Sequence, residues 1–389
     1  MFRIPRADSG FDESSGTWRI RFDDSVPVIT TGDLVIDGYS QAATEGDTNP
    51  SGPEIVLDGN GQSVETAFLL LNVSGVTIRG FAIGGFLYGI QVYGALSFDN
   101  RILGNMIGLD ATGLRAIPNL NGVELLSGAH DNIVGGAARE DRNIISGNRH
   151  VGIRISDAHR NTVIGNFVGV DRTGQKPCRT STGSASKAVP AATALAEPGP
   201  ASGTSLQAIP PTGSIFSVPA YRRTRSSAIS SAPMSPERWR YRTPTACCSM
   251  IGPTAIPFAA TGSDATGTAA VPNETGVHID GGTFRNVVDQ NVVSGNIVAG
   301  ITIFALHTDR NRITRNLIGA DITGKSPLPN GEEGIRIAFG PRDNLIGGSG
   351  SDGNLLVGNP IPISAEPEAI GANRLSDNTT DFGSWGKQR

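Results

Sequence analysis

Cysteine is nearly missing. Cys178, Cys247 and Cys248 are the only three in 389 residues, and all fall in one irregular block, so neither a disulfide framework nor a zinc-ligand spacing follows from them. No apolar run approaches the roughly 20 residues needed to span a bilayer. Charge is scarce as well, at 17% of residues with a formal net charge of -4 and a pI near 5.8. That leaves no electrostatic footprint for nucleic acid or for an anionic membrane surface. The opening Met-Phe-Arg-Ile-Pro-Arg-Ala-Asp lacks an apolar signal core, so either the chain stays inside the cell or its export segment is missing from this sequence. Helix formers are sparse. Glycine, at 51 residues, is abundant, a composition of strands and turns.

What is present is a repeat. Its opening word is Gly, aliphatic, variable, aliphatic, at Gly89, Gly122, Gly152, Gly276, Gly300 and Gly334. Each copy is followed by an asparagine and another short strand: Asn100, Asn132, Asn161, Asn286, Asn311 and Asn344. Apolar residues alternate with period two inside each strand and show no helical spacing. Strands this short cannot bury a face alone and must stack on their neighbours. A hairpin meander would need tight turns between every pair, whereas here the same words return at intervals of roughly 20 residues or more, as in a solenoid. Identical words line up only in parallel coils. The expected fold is all-β: a single-stranded right-handed parallel β-helix with inward columns of Val, Ile and Leu. Residues 1–30 read as lead-in or cap, 31–177 and 262–359 as coils, and 360–389 as tail or cap.

Between them, residues 178–261 break the pattern with a Ser-, Ala-, Pro-, Thr- and Arg-rich stretch lacking periodicity. A natural flexible insertion would have this composition. Out-of-frame translation fits better. Where other repeats continue Leu-Pro-Asn into the next coil, a one-base shift of a suitable coding sequence yields Cys-Arg-Thr-Ser-Thr-Gly-Ser-Ala-Ser, which stands at Cys178–Ser186. The other reading frames of the gene should then contain the missing repeat words; their absence there would exclude the idea.

With the repeats laid out, the chain resembles the bacterial right-handed parallel β-helix repeat proteins, which share the pectin-lyase-like fold. Leu34–Gln41, Ser74–Phe81, Arg142–Asn148 and the recurring Gly-Asn-x-Ile-Gly-x-Asp-x-Thr-Gly at Gly104–Gly113 and Gly165–Gly174 carry this likeness. A variant of the last word runs from Arg315 to Gly324 and part of it from Gly262 to Gly267. The resemblance implies an extracellular or cell-envelope location and is far less informative about activity.

Candidate chemistry is modest. The aspartates of Asp-x-Thr-Gly (Asp110, Asp171, Asp264, Asp321) could bind Ca²⁺, but successive copies are separated by several coils, and a side chain capping its own turn is favoured. No metal or cofactor is expected. The asparagines are expected to stack in hydrogen-bonded ladders. In the opening word the variable position faces outward: Gln91, Glu124, Arg154, His278, Thr302 and Arg336. Solvated decoration is the bland reading of this row; binding of an extended polysaccharide is the functional one. The paired aspartates, Gly-His-Gly and Arg-Ile-Lys that mark glycosidases of similar fold do not occur as a set, and the Asp-Pro-His word of epimerases is absent. Asp289 with Arg310, Arg312 or Asp309 is a weak lyase candidate. His130, His150, His159, His278 and His307 have no metal-ligand spacing. The expected role is a monomeric, non-catalytic surface β-helix that binds carbohydrate. The alternatives are a lyase or glycosidase acting on an acidic polysaccharide, a degenerate relative of one, or a product without function.

Overall fold

The computed structural model describes residues 1–177 and 272–381. Their strands form three sheets of ten, eight and nine strands. Phe11–Asp12 and Thr17–Arg21 pair antiparallel at the N-terminal end, while the ladders joining successive coils are parallel. One coil shows the plan. Asn121–Leu126 lies in the eight-stranded sheet, Ile133–Gly135 in the nine-stranded sheet and Ile144–Ile145 in the ten-stranded sheet. The chain then returns as Val151–Ser156, paired in parallel on Asn121–Leu126. This is a parallel β-helix, and its core is the expected set of columns. Ile90, Val123, Ile153, Val277, Ile301 and Ile335 stand in one register and are all fully buried.

The coils extend past both expected boundaries. Thr17–Arg21, in the segment read as lead-in, pairs parallel with Ile55–Asp58. In the segment read as tail, Ile361–Ala365 and Arg374–Ser376 continue the eight- and nine-stranded sheets. These strands lack the repeat word, but the neighbouring coil supplies their backbone partners. Phe2, Ile4 and Phe22 pack over the N-terminal end of the core. Buried Gln41 fastens this lead-in, accepting from the Ile4 N–H at 2.9 Å and donating to its carbonyl at 2.7 Å. The irregular block and the coil residues 262–271 lie outside the described residues. On either side of them no rung is skipped: Val151–Ser156 pairs directly with Thr275–Asp280.

Asparagines hold the corners. The expected series runs Asn100, Asn132, Asn161, Asn286, Asn311, Asn344 and on to Asn373, each Oδ1 after the first accepting from the backbone N–H and side-chain amide of the asparagine one coil earlier. Two more ladders were not anticipated. One climbs Asn105, Asn143, Asn166, Asn291, Asn316, Asn354 and Asn378. The other climbs Asn119, Asn148, Asn273, Asn296, Asn330 and Asn359. A corner backbone cannot join a β-ladder, so a buried side-chain amide replaces the missing partners.

The glycine of the opening word is a packing requirement. A Cβ on Gly122 would lie 2.5 Å from the Gly152 carbonyl oxygen and 2.8 Å from Ile145 Cγ2. Gly122→Ala is therefore expected to destabilise the chain by about 1–3 kcal/mol through overpacking, read as a lowered midpoint in urea unfolding.

On the ten-stranded sheet both faces are apolar. Ile107, Ile145, Val168 and Val293 point into the helix core, whereas Met106, Ile144, Phe167 and Val292 point outward into a second cluster with Leu109, Ala111 and Val170. The Asp-x-Thr-Gly segments fold back over this outer face. Their aspartates are consumed by the turn: Asp171 Oδ1 accepts from the Thr173 hydroxyl at 2.7 Å and from backbone N–H groups, and Asp110 and Asp321 do the same. Asp264 lies outside the described residues.

Candidate functional site

The outward row is assembled by register. Gln91, Glu124, Arg154, His278, Thr302 and Arg336 occupy the same position on six consecutive strands of the eight-stranded sheet. Adjacent rungs in such a sheet stand about 4.8 Å apart. The row lies on the outward face of the sheet, but its members differ in exposure: Glu124 and Thr302 are only 2% and 5% exposed. Neighbouring side chains cover these two, while those of Arg154 and Arg336 remain partly exposed.

Two polar clusters result. In the first, Glu124 accepts from the Gln91 amide at 2.7 Å and the Asn121 amide at 2.8 Å, and the Thr66 hydroxyl donates to Gln91 at 2.9 Å. The second centres on Asp280, which meets Arg154 and His278 Nε2, each at 3.2 Å. His278 Nδ1 is engaged by the Thr302 hydroxyl. Burial pushes the Asp280 carboxyl up, but hydrogen bonds from His278 and Ser156, with the charges of His278 and Arg154, outweigh it and hold the pKa at about 2. Buried Arg154 Nε and Asp280 Oδ1 have no hydrogen-bond partner. Arg336 stands apart, 4.0 Å from Glu333 and over the Phe304 ring at 5.4 Å.

Sequence reasoning picked out the row but missed Asn121 and Asp280. Asp280 was within reach of the pattern, because residues two apart on a strand share a face. Asn121 was not: it stands three residues before Glu124, an odd separation that simple alternation places on the opposite face. The pairing proposed for Asp289 is also corrected. Its carboxylate binds Arg315 Nε at 2.8 Å and Thr314 at 2.8 Å, since Thr314 is its partner in the nine-stranded sheet and Arg315 follows directly. Elsewhere, Phe98, His130, His159 and Phe284 stack ring on ring along a corner, with centroids 4.8–5.4 Å apart. Among the described residues no group of three or more His, Cys, Asp or Glu could hold a metal ion, and no helix is long and apolar enough to cross a membrane.

Fold and site together define a parallel β-helix solenoid with an ordered polar row on one sheet. Among solved structures, the chain is similar to the A-module of the Azotobacter vinelandii mannuronan C-5 epimerase AlgE4, at 11% identity and a TM-score of 0.28, with 92% of this chain and 81% of that chain covered. A likeness at that level carries no weight for activity. No family model matches the chain, and no curated protein matches it.

Proposed function

We propose that the chain is a non-catalytic β-helix of the cell surface or extracellular space, acting as a monomer, whose eight-stranded sheet binds an extended carbohydrate along the helix axis. The supporting observation is the unbroken register of amide, carboxylate, guanidinium, imidazole and hydroxyl groups from Gln91 to Arg336. These groups hydrogen-bond sugar hydroxyls, and a rung spacing of about 4.8 Å is comparable to the length of one pyranose unit. The protonation chemistry favours binding over turnover. General acid catalysis needs a carboxyl that holds its proton near the working pH, yet Asp280 stays ionised, and Glu124 already accepts from the Gln91 and Asn121 amides. Both nitrogens of His278 are occupied.

The competing reading is a lyase or glycosidase acting on acidic polysaccharide, for which the meeting of Asp280, Arg154 and His278 speaks. One screen separates the two. The full chain is tested on a glycan array and against soluble polygalacturonate and alginate, with reducing ends and unsaturated products followed. Binding without product is expected, and Arg154→Ala should weaken it about 10- to 100-fold, the loss of one charged hydrogen bond. Turnover that His278→Ala abolishes would overturn the binding-only reading; absence of any glycan binding would overturn both.

A further inference from the structure

A second site lies on another side of the solenoid. The loop that follows Val35–Asp37 carries the short helix Ser40–Glu45 and runs on to Glu54. With the turns at Gly104–Met106 and Arg139–Ile144 it borders an open cavity of about 540 Å³, also lined by Arg172. Ligand sites commonly have volumes of about 300–1,000 Å³.

Two features of the lining are unusual. Glu54 is 2% exposed, and its buried Oε2 has no hydrogen-bond partner. A buried polar atom left in that condition is costly, so a group able to complete it would be held strongly. Three guanidinium groups, those of Arg139, Arg142 and Arg172, also line the cavity, and among the described residues none has a carboxylate within ion-pair distance. Arg142 is fixed in place: its Nε donates to the Gly165 carbonyl at 2.9 Å and its guanidinium stacks on Phe167 at 4.1 Å. Arg172 donates to the Ser51 carbonyl at 3.4 Å. Arg142 and Arg172 are thus each anchored through part of the fork and retain other donors.

We propose that this cavity binds a small carboxylate-bearing sugar or hydroxy acid, with the arginines receiving the anion and the buried Glu54 carboxyl hydrogen-bonding to it. The site is separate from the polar row on the eight-stranded sheet and does not depend on the carbohydrate reading of that row. Burial pushes the Glu54 carboxyl up to about 7; a hydrogen bond from its own backbone opposes this, and the neighbouring Asp47 adds a smaller upward push. The other ionisable groups around the cavity are Tyr39, whose hydroxyl donates to the Gly104 carbonyl at 2.7 Å, together with Glu140 and the three arginines. An acid–carboxylate hydrogen bond is short and strong. Binding should therefore retain or take up one proton at Glu54, and affinity should fall as pH rises past 7.

Isothermal titration calorimetry of the full chain tests this, with galacturonate as probe, galactose as its neutral counterpart, inorganic phosphate as a non-sugar anion and a galacturonate oligomer as the polymeric source. Galacturonate is expected to bind, with affinity falling about tenfold per pH unit above 7, as linkage to one proton requires. Galactose should not bind. Glu54→Gln, which keeps a donor but cannot titrate, should remove the pH slope, and Arg172→Ala should weaken binding at least about tenfold through loss of a charged hydrogen bond. Binding of the oligomer but not the monomer would assign the site to a polysaccharide end; the reverse assigns it to a free acid. Equal affinity for galactose, tighter binding of phosphate, or a pH slope that survives Glu54→Gln would overturn the proposal, as would no heat from galacturonate at millimolar concentration.

Discussion

Replacing Asn161 by alanine is expected to destabilise the chain by about 3–5 kcal/mol, far more than an average substitution. The asparagine is fully buried in the middle of a ladder. Its Oδ1 accepts from the backbone N–H and the side-chain amide of Asn132, both at 3.0 Å, and its own amide donates to the Ala129 carbonyl at 3.0 Å and to Asn286 at 3.2 Å. Alanine leaves those groups buried without partners, and water cannot follow them into the corner. Asn378 supplies the control. It is the half-buried last rung of its ladder, receiving from Asn354 with no further asparagine above it, so Asn378→Ala should cost about 1 kcal/mol. Urea unfolding of the two variants against the parent measures the difference. Equal, small effects would show that the ladders follow the fold and do not hold it.

The second large effect concerns Glu54 and pH. Its carboxyl lies near 4.5 when the chain is unfolded and about 7 when folded. A group whose folded pKa is raised contributes fully below its unfolded value and loses that contribution as pH rises through the folded one. Stability owed to Glu54 should thus decline between pH 4.5 and about 7, by about 3 kcal/mol in total. Glu54→Gln removes the titration. The variant and parent should differ little in pH dependence below pH 4.5, while by pH 8 the variant should have gained about 3 kcal/mol on the parent relative to their difference at pH 4. Denaturant midpoints at the two pH values check this. Asp280 and Asp131, both held at about 2, act in the opposite direction and at lower pH, withdrawing stability as pH falls from about 4 toward 2. They titrate alike in parent and variant, so the comparison isolates Glu54.

The repeat was legible because it is written several times. Each copy of Gly-aliphatic-x-aliphatic places its aliphatics over those of the copy before, so period two plus recurrence was enough to predict inward columns at Ile90, Val123 and Ile153. The first asparagine ladder was read in the same way. The other two passed unnoticed although their members recur, Asn105 and Asn166 after glycine in the same word, and Asn119 and Asn330 after proline. Reading one asparagine per coil hid them, whereas every coil has three corners to satisfy.

The polar row shows where the pattern runs out. Alternation says which side chains face outward, and Gln91, Glu124, Arg154, His278, Thr302 and Arg336 do stand together. It says nothing of their lateral partners. That Glu124 is covered by Gln91 and Asn121, or that Arg154 and His278 converge on Asp280, depends on rotamers chosen between neighbouring rungs. Glu54 is less legible still. It occurs once, outside the repeat, and the groups that surround its cavity come from segments as far apart as Tyr39, Arg142 and Arg172.

The sequence by itself determined the solenoid, its inward columns and its corner asparagines, because local periodicity repeated along a chain has few ways to bury its apolar face. Tertiary structure decided which coil follows Val151–Ser156 across the long interruption, which outward side chains pair, and which segments bring Glu54 and three arginines to the lining of one cavity. Those outcomes depend on contacts between residues distant in the chain, and no local pattern encodes the energy of such contacts.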